Sequence, residues 1–128
     1  MARGGSPIPR LLDIIQAIGR VRARIGAMSL LAFEADWESQ WIVERGIEII
    51  SEASRHLPDD LKARNAGIPW PNIAGIGNIL RHNYERIAAP IMWTLARDDL
   101  PHLLRVCEAE LAVYQEREAG NDGGGGVV

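Results

Sequence analysis

Residues 10–25 read RLLDIIQAIGRVRARI. The large apolar side chains recur every three or four positions, at Leu11, Ile14, Ile15, Ile18, Val21 and Ile25. This spacing places them on one side of an α-helix, because a helix turns once every 3.6 residues. No segment of the chain shows the alternation of apolar and polar residues that indicates a half-buried strand. The sequence therefore predicts an all-α fold that begins with this helix.

Local signals place the remaining helices. Ser29 is predicted to cap a short turn, and Asp36 to begin a helix that reaches His56, before the break at Pro58. The predicted buried stripe of that helix is Ile42, Gly46, Ile49, Ile50, Ala53 and Leu57. Three further helix starts are predicted. Asn72 caps one helix, and Pro90 lies in the first turn of a segment that ends at Arg97. Asp98 or Asp99 begins the last helix, with Pro101 in its first turn.

The chain has 128 residues, which suits one domain with one hydrophobic core. Residues 1–9 and 120–128 are rich in glycine or proline, so we expect a flexible N-terminus, a helical domain over residues 10–119 and a disordered glycine-rich tail. Helices joined by short loops predict an antiparallel up-and-down bundle of four to five helices.

Composition and charge exclude several classes of protein. The net charge of −3 argues against a global basic field for nucleic acid, so any such binding has to be local or shared between subunits. Cys107 is the only cysteine, which excludes an intrachain disulfide. No two histidines and a carboxylate share metal-ligand spacing on one helix, so a metal site is disfavoured. The absence of a long apolar run predicts a cytoplasmic protein without a membrane anchor. No cofactor is expected.

The segment GIGNILRHNYERI, residues 75–87, carries the candidate chemistry. Helical geometry groups its residues into a buried stripe of Ile73, Ile76, Leu80 and Ile87, a polar stripe of Asn78, His82 and Glu85, and a third stripe of Gly77, Arg81 and Tyr84. In a regular helix His82 and Tyr84 cannot face one pocket, so either the helix ends near His82 or one of the two meets another subunit. The glycines at 75 and 77 permit a tight helix crossing or the close approach of a phosphate.

Histidine next to arginine suits chemistry on phosphates. His82 can exchange protons near neutral pH as a general acid or base, and Arg81 can bind a phosphate and stabilise its developing charge. This pair fits RNA cleavage by attack of the 2′-hydroxyl on the neighbouring phosphate, which needs no metal. It fits other phosphate chemistry equally well.

Several segments together resemble one family. They are LLDIIQAI, RGIEIISEASRHLP, IPWPNIAGIGNILRHNYERI and IMWTLARDDLPHL, and their order and spacing agree as well as their residue types. On these residues the chain resembles the HepT-like group of HEPN-domain proteins over about residues 11–110. The resemblance implies a helical bundle that dimerises, with a ribonuclease site near the subunit interface.

The resemblance also implies which residues act. The family motif is an arginine, four intervening residues, a histidine, any residue and a tyrosine. His82 and Tyr84 match its last two elements, whereas Gly77 stands where the arginine is expected. The predicted catalytic residues are therefore His82, Tyr84 and, as the nearest substitute for the arginine, Arg81. Asn78 and Glu85 share the face of His82 and are predicted to support it.

A partner follows from the same resemblance. It implies a toxin neutralised by a minimal nucleotidyltransferase antitoxin, which attaches AMP to the tyrosine that corresponds to Tyr84. Such a modification adds bulk and negative charge where an RNA phosphate has to bind. The alternative is a catalytically degenerate module that dimerises and binds the nucleotidyltransferase. Gly77 favours this alternative, and the retention of Arg81, His82 and Tyr84 favours the ribonuclease.

Overall fold

The computed structural model of the chain describes residues 5–82 and 85–127, without the side chains of residues 81, 82, 85–88 and 121–127. Its helices are α1 (Ile8–Ile25), α2 (Leu30–Glu34), α3 (Trp37–Arg55), α4 (Asp59–Arg64), α5 (Trp70–His82), α6 (Glu85–Thr94), a π-helical turn (Leu95–Asp99) and α7 (Leu100–Val127). These ranges contain no strand. The predicted all-α helical bundle is confirmed, with five long helices and two short ones.

Helix α3 lies at the centre of the bundle. It packs against both α1 and α5, and α7 packs against α1. The predicted stripe of α1 is buried, apart from Ile15, which is partly exposed. Leu103 and Cys107 of α7 are fully buried in the same core. This arrangement fixes α5, the helix that carries the candidate chemistry, through its contact with α3.

Two of the predicted helix caps are confirmed. The Ser29 hydroxyl accepts a hydrogen bond from the backbone N–H of Ala32 at 3.1 Å, and Asp36 accepts one from the N–H of Ser39 at 3.1 Å. The guanidinium of Arg24 on α1 donates to the Ser39 hydroxyl at 2.8 Å. The start of α3 is therefore fixed both by its own cap and by a hydrogen bond to α1.

The predicted starts of α5 and α6 are wrong. Helix α5 begins at Trp70, so Asn72 lies inside it rather than at its cap. The indole N–H of Trp70 contacts the backbone carbonyls of Lys62 and Asn65, which fixes the helix start at this buried side chain. Pro90 lies inside α6 and not in a first turn. A proline is expected at a helix start because its missing N–H is harmless there, but α6 begins earlier, at Glu85.

A π-helical turn lies where Asp98 or Asp99 was predicted to start the last helix. The N–H of Leu100 donates to the carbonyl of Leu95, five residues earlier. The wider turn lies directly before Pro101, whose nitrogen has no hydrogen to donate to the carbonyl of Arg97. The chain therefore continues as helix through Asp98 and Asp99, although Pro101 does lie in the first turn of α7 as predicted.

The buried face of α3 differs from the predicted one. Val43 and Ile47 are fully buried, whereas Ile42 is 43% exposed. Because α3 packs against α1 and α5 at once, it buries two faces, and small residues such as Ser51 and Ser54 fill the second. Of the predicted stripe, Gly46, Ile50, Ala53 and Leu57 are buried as expected, whereas Val43 and Ile47 were missed.

Helical structure extends slightly beyond the predicted domain limits. Helix α1 starts at Ile8, after Pro7, and α7 extends through Val127. The domain limits at residues 10 and 119, and the disorder of the glycine-rich tail, stay predictions. Among the described residues, no helix is long and apolar enough to cross a membrane.

Gly46 lies at the closest approach of α1 and α3. A Cβ atom added at this position would lie 2.4 Å from Cγ2 of Val21. A valine side chain on a helix has one strongly preferred rotamer and cannot easily move aside. We therefore expect Gly46→Ala to destabilise the fold by about 1–3 kcal/mol in spite of alanine's better helix propensity. Urea denaturation measures this difference.

Gly19 on α1 supplies the matched control, because nothing lies within 4 Å of a Cβ added there. Gly19→Ala should stabilise the protein by about 0.5–1 kcal/mol. Adding Val21→Ala to Gly46→Ala should recover part of the stability lost through the clash between α1 and α3. Equal stabilities of Gly46→Ala and Gly19→Ala would show that the two helices do not cross closely at Gly46.

Candidate active site at the junction of α3 and α5

The predicted site residues lie at the C-terminal end of α5 and just beyond it. Arg81 and His82 are the last two residues of α5, and their side chains are not described. Tyr84 lies outside the described residues, and Glu85 is the first residue of α6, with no side chain described. Asn78 is exposed on α5. The structure therefore places Asn78, Arg81 and His82 on α5 and Glu85 on α6, and the roles of these residues stay predictions.

The middle of α5 is attached to α3 by two side chains. The Ser51 hydroxyl donates to the backbone carbonyl of Ala74 at 2.7 Å, and the Arg55 guanidinium donates to the same oxygen at 2.6 Å. Ser51 is buried, so its hydroxyl would be costly to leave without a partner. These two bonds fix the position of α5 two turns before His82.

Gly77 opens a cleft between the two helices, one turn beyond Ala74. The cleft has a volume of about 210 Å³, and its described lining is Arg45, Glu48, Ser51, Glu52, Arg55 and Gly77. All of the charged groups in this lining come from α3. Position 81 lies one helical turn beyond Gly77 on the same side of α5. The stripe that includes Arg81 therefore continues the line of the cleft.

Ion pairs balance the charges in the cleft. Arg55 lies 3.1 Å from Glu52, and the His56 ring lies 2.9 Å from the other oxygen of Glu52. The pKa of Glu52 lies below its ordinary value. The main cause is the hydrogen bond between Glu52 and His56, and the charges of His56 and Arg55 add to it. Arg45 is bound less tightly, at 3.5 Å from Glu48, and 74% of its side chain is exposed. Arg45 is thus the cation of the cleft that an incoming anion can reach most easily.

Glu44 lies beside the cleft and differs from the other carboxylates of α3. Partial burial, together with the charge of Glu48, raises the pKa of Glu44 above its ordinary value. Glu44, Glu48, Arg45 and Trp41 line a shallow depression that adjoins the cleft. The carboxylates of α3 thus occupy the rim of the candidate site.

The two glycines of α5 have different surroundings. No described atom lies within 4 Å of a Cβ added at Gly75, so no other helix of the same chain crosses α5 closely at this position among the described residues. Gly77 is buried and faces α3 across the cleft. The glycine that leaves room for charged groups is therefore the one at the expected position of the motif arginine.

The sequence did not connect Arg45, Glu52 or Arg55 of α3 with the candidate site. Arg45, Glu48, Glu52 and Arg55 follow one another at intervals of three, four and three residues, which places them on one face of a helix. This interval is visible in the sequence. Which helix that face meets is decided by tertiary packing, so the sequence alone could not connect it with Gly77.

Comparison with known proteins adds the family. The family model described as "Ribonuclease HepT-like" matches residues 14–110 of this chain. The chain belongs to the HepT-like ribonuclease family. The matched range begins in α1, ends in α7 and includes the cleft, Arg81 and His82. The family predicted from the sequence is thereby confirmed.

Two relatives illustrate the match. A protein of Thermococcus cleftensis named "Probable ribonuclease HepT" is 32% identical over 93 residues, which are 73% of this chain and 84% of the relative. A protein of Caldanaerobacter subterraneus, named as a candidate RNase, is 30% identical over 98 residues, 77% of this chain and 88% of its own length. No solved structure matches the chain significantly.

The geometry of the candidate site can supply charge and hydrogen bonds to a phosphate. Within the described part of the chain no group of three His, Cys, Asp or Glu side chains is placed to hold a metal ion. The cleft offers guanidinium groups from α3, which can stabilise a phosphate. The end of α5 adds a histidine, which can exchange a proton at neutral pH.

Proposed function

We propose that this chain is an endoribonuclease that cleaves RNA without a metal ion. The observation that carries the proposal is its membership of the HepT-like ribonuclease family, with His82 at the end of the helix that borders an arginine-lined cleft. The cleft supports the proposal because phosphate chemistry requires positive charge where negative charge develops.

In the proposed reaction the 2′-oxygen of a ribose forms a bond to the adjacent phosphorus. The bond from phosphorus to the 5′-oxygen of the next nucleotide breaks, so the products carry a 2′,3′-cyclic phosphate and a 5′-hydroxyl. His82 takes the proton from the 2′-hydroxyl or gives one to the leaving 5′-oxygen. Arg81 binds the phosphate, and Tyr84, Asn78 and Glu85 complete the proposed site.

We infer that the enzyme works as a homodimer. Positions 81 and 82 of α5 are about 100° apart around the helix axis, so one subunit does not direct both at the same point. An arginine side chain is long, and Arg81 of one subunit can approach His82 of the other. The dimer and the pairing across it belong to the proposal.

We also propose that the enzyme is the toxin of a toxin–antitoxin pair. Its partner in this proposal is a minimal nucleotidyltransferase, which inhibits the RNase by attaching AMP to Tyr84. The added phosphate would repel RNA from the end of α5. The sequence resemblance supports this part of the proposal.

Gly77 supports a second candidate function. Without an arginine at this position, the chain can serve as an interaction module that dimerises and binds the nucleotidyltransferase but cleaves no RNA. The two functions differ in one measurable property, which is RNA cleavage by the isolated protein.

The experiment is incubation of the purified chain with a single-stranded RNA of mixed sequence in EDTA. We expect cleavage to persist in EDTA. Each cut should leave a 2′,3′-cyclic phosphate on the upstream fragment and a 5′-hydroxyl on the downstream fragment. An RNA with 2′-deoxyribose at the cut site should resist, because it lacks the attacking hydroxyl. A 3′-hydroxyl at the new end of the upstream fragment, or cleavage that EDTA abolishes, would contradict the proposed chemistry.

A further inference from the structure

The first half of α3 carries an exposed stripe that the fold does not use. It consists of Trp37, Trp41 and Arg45, which follow one another at intervals of one helical turn. Trp37 is 60% exposed and Trp41 is 66% exposed, in contrast to the buried Trp70. Large aromatic side chains exposed this far contribute little to the core. Their position therefore indicates a surface role.

The stripe leads to the cleft at Gly77. Trp41 and Arg45 line a groove of about 510 Å³ between α1 and α3, together with Arg20 of α1. Trp41 and Arg45 also line the shallow depression that contains Glu48, and Arg45 and Glu48 line the cleft itself. A continuous surface thus runs from the two indoles to the helix that ends at His82.

We propose that this stripe binds the single-stranded RNA substrate and directs it to the end of α5. Bases stack on the indoles of Trp37 and Trp41, and Arg45 binds a phosphate of the same strand. The proposal deepens the ribonuclease function and rests on it for the identity of the substrate. Aromatic stacking next to a positively charged group is a general way to bind single strands without sequence preference.

The geometry of the two indoles favours a single strand over a duplex. Their ring centroids are 4.8 Å apart and their planes are inclined by 69°. Successive bases in a duplex are parallel, so they cannot stack on two faces with this inclination. Bases of a single strand turn independently and can stack on both.

The charges around Arg45 indicate moderate affinity of the stripe for RNA. Its pairing with Glu48 at 3.5 Å is weak and largely exposed, so a phosphate can compete for the guanidinium. Arg20 adds a second positive charge to the groove, whereas Asp13 adds a negative one. Because Glu48 opposes the phosphate, removing its charge should strengthen binding.

The test uses a fluorescent single-stranded oligonucleotide with 2′-O-methyl riboses, which cannot be cleaved by 2′-hydroxyl attack. Fluorescence anisotropy measures its binding to the full chain and to four variants. We expect Trp37→Ala/Trp41→Ala to weaken binding about tenfold or more, and Arg45→Ala to weaken it several-fold with a smaller dependence on salt. Glu48→Gln should bind more tightly than wild type. Trp41→Phe should retain most of the affinity.

Two variants outside the stripe serve as controls. Leu31→Ala removes an apolar side chain that is 79% exposed on α2, and Arg105→Ala removes an exposed arginine of α7. Both should bind the oligonucleotide as wild type does. Circular dichroism checks that every variant remains helical, and a duplex of the same sequence should bind more weakly than the single strand.

Three outcomes would overturn the proposal. The first is wild-type affinity for the oligonucleotide in Trp37→Ala/Trp41→Ala, and the second is equal affinity of wild type for single strand and duplex. The third is loss of self-association in Trp37→Ala/Trp41→Ala with RNA binding unchanged, which would make the stripe a protein interface. Binding is measured without cleavage, so the proposed catalysis is judged separately. If wild type binds RNA through the stripe but does not cleave it, the proposed ribonuclease activity is rejected and the proposed RNA-binding surface is retained.

Discussion

His82→Ala should lower the rate of RNA cleavage by about 10²-fold or more, because general acid–base catalysis by a positioned side chain contributes about that much. His82 is the last residue of α5, and α5 is fixed to α3 at Ala74 by Ser51 and Arg55. The position of the helix therefore does not depend on the histidine. Single-turnover cleavage of a labelled RNA measures the loss, and the helical content should stay unchanged.

His102→Ala is the matched control for this loss. His102 is exposed in the first turn of α7, and we expect its replacement to leave the cleavage rate unchanged. The two variants, purified in the same way, also separate the activity of this chain from any contaminating ribonuclease. If wild type, His82→Ala and His102→Ala all cleave RNA equally, His82 has no part in the reaction.

The elements of the fold that depend on local chemistry could be predicted from the sequence. Ser29 and Asp36 were expected as caps because a side-chain oxygen at a helix start accepts a backbone N–H wherever the helix lies. The stripe of α1 was expected because α1 has one buried face. In both cases a few neighbouring residues contain all of the information that decides the structure.

The elements that depend on tertiary packing could not be predicted. Ile42 was expected in the core but is 43% exposed, because the packing of α3 instead buries the side of the helix that carries Val43 and Ile47. The start of α5 at Trp70 depends on carbonyls of Lys62 and Asn65, which lie before the preceding loop. The π-helical turn before Pro101 likewise depends on packing, because the helix continues through a position where Pro101 has no N–H to donate.

The same distinction applies to the candidate site. The helix with Gly77, Arg81 and His82 could be expected from the sequence, as could the family to which its motif belongs. The guanidinium groups of Arg45 and Arg55 could not be connected with Gly77, since they belong to a different helix and meet α5 only in the folded protein. A short motif therefore identifies the helix of a site more reliably than it identifies the groups opposite that helix.

Gly77→Arg should raise the rate of RNA cleavage by about tenfold or more, since a single preorganised donor to a developing charge commonly contributes at least this factor. An arginine at this position would enter the cleft of about 210 Å³ on the same side of α5 as position 81. Glu48 and Glu52 in the lining can pair with its guanidinium, so the added charge is not left unpaired. Gly77→Lys should give a smaller gain, because lysine lacks the planar guanidinium that binds two phosphate oxygens at once.

Gly75→Arg distinguishes a specific contribution from a general gain in positive charge. It adds the same side chain to the same helix, at a position where no described atom lies within 4 Å of the new Cβ and where no cleft lining is formed. We expect Gly75→Arg to change the rate little. Equal gains from the two variants would mean that added charge alone draws RNA to the surface. If wild type and Gly77→Arg both fail to cleave RNA while they remain folded, the arginine does not complete an active site. The chain is then the interaction module and not the enzyme.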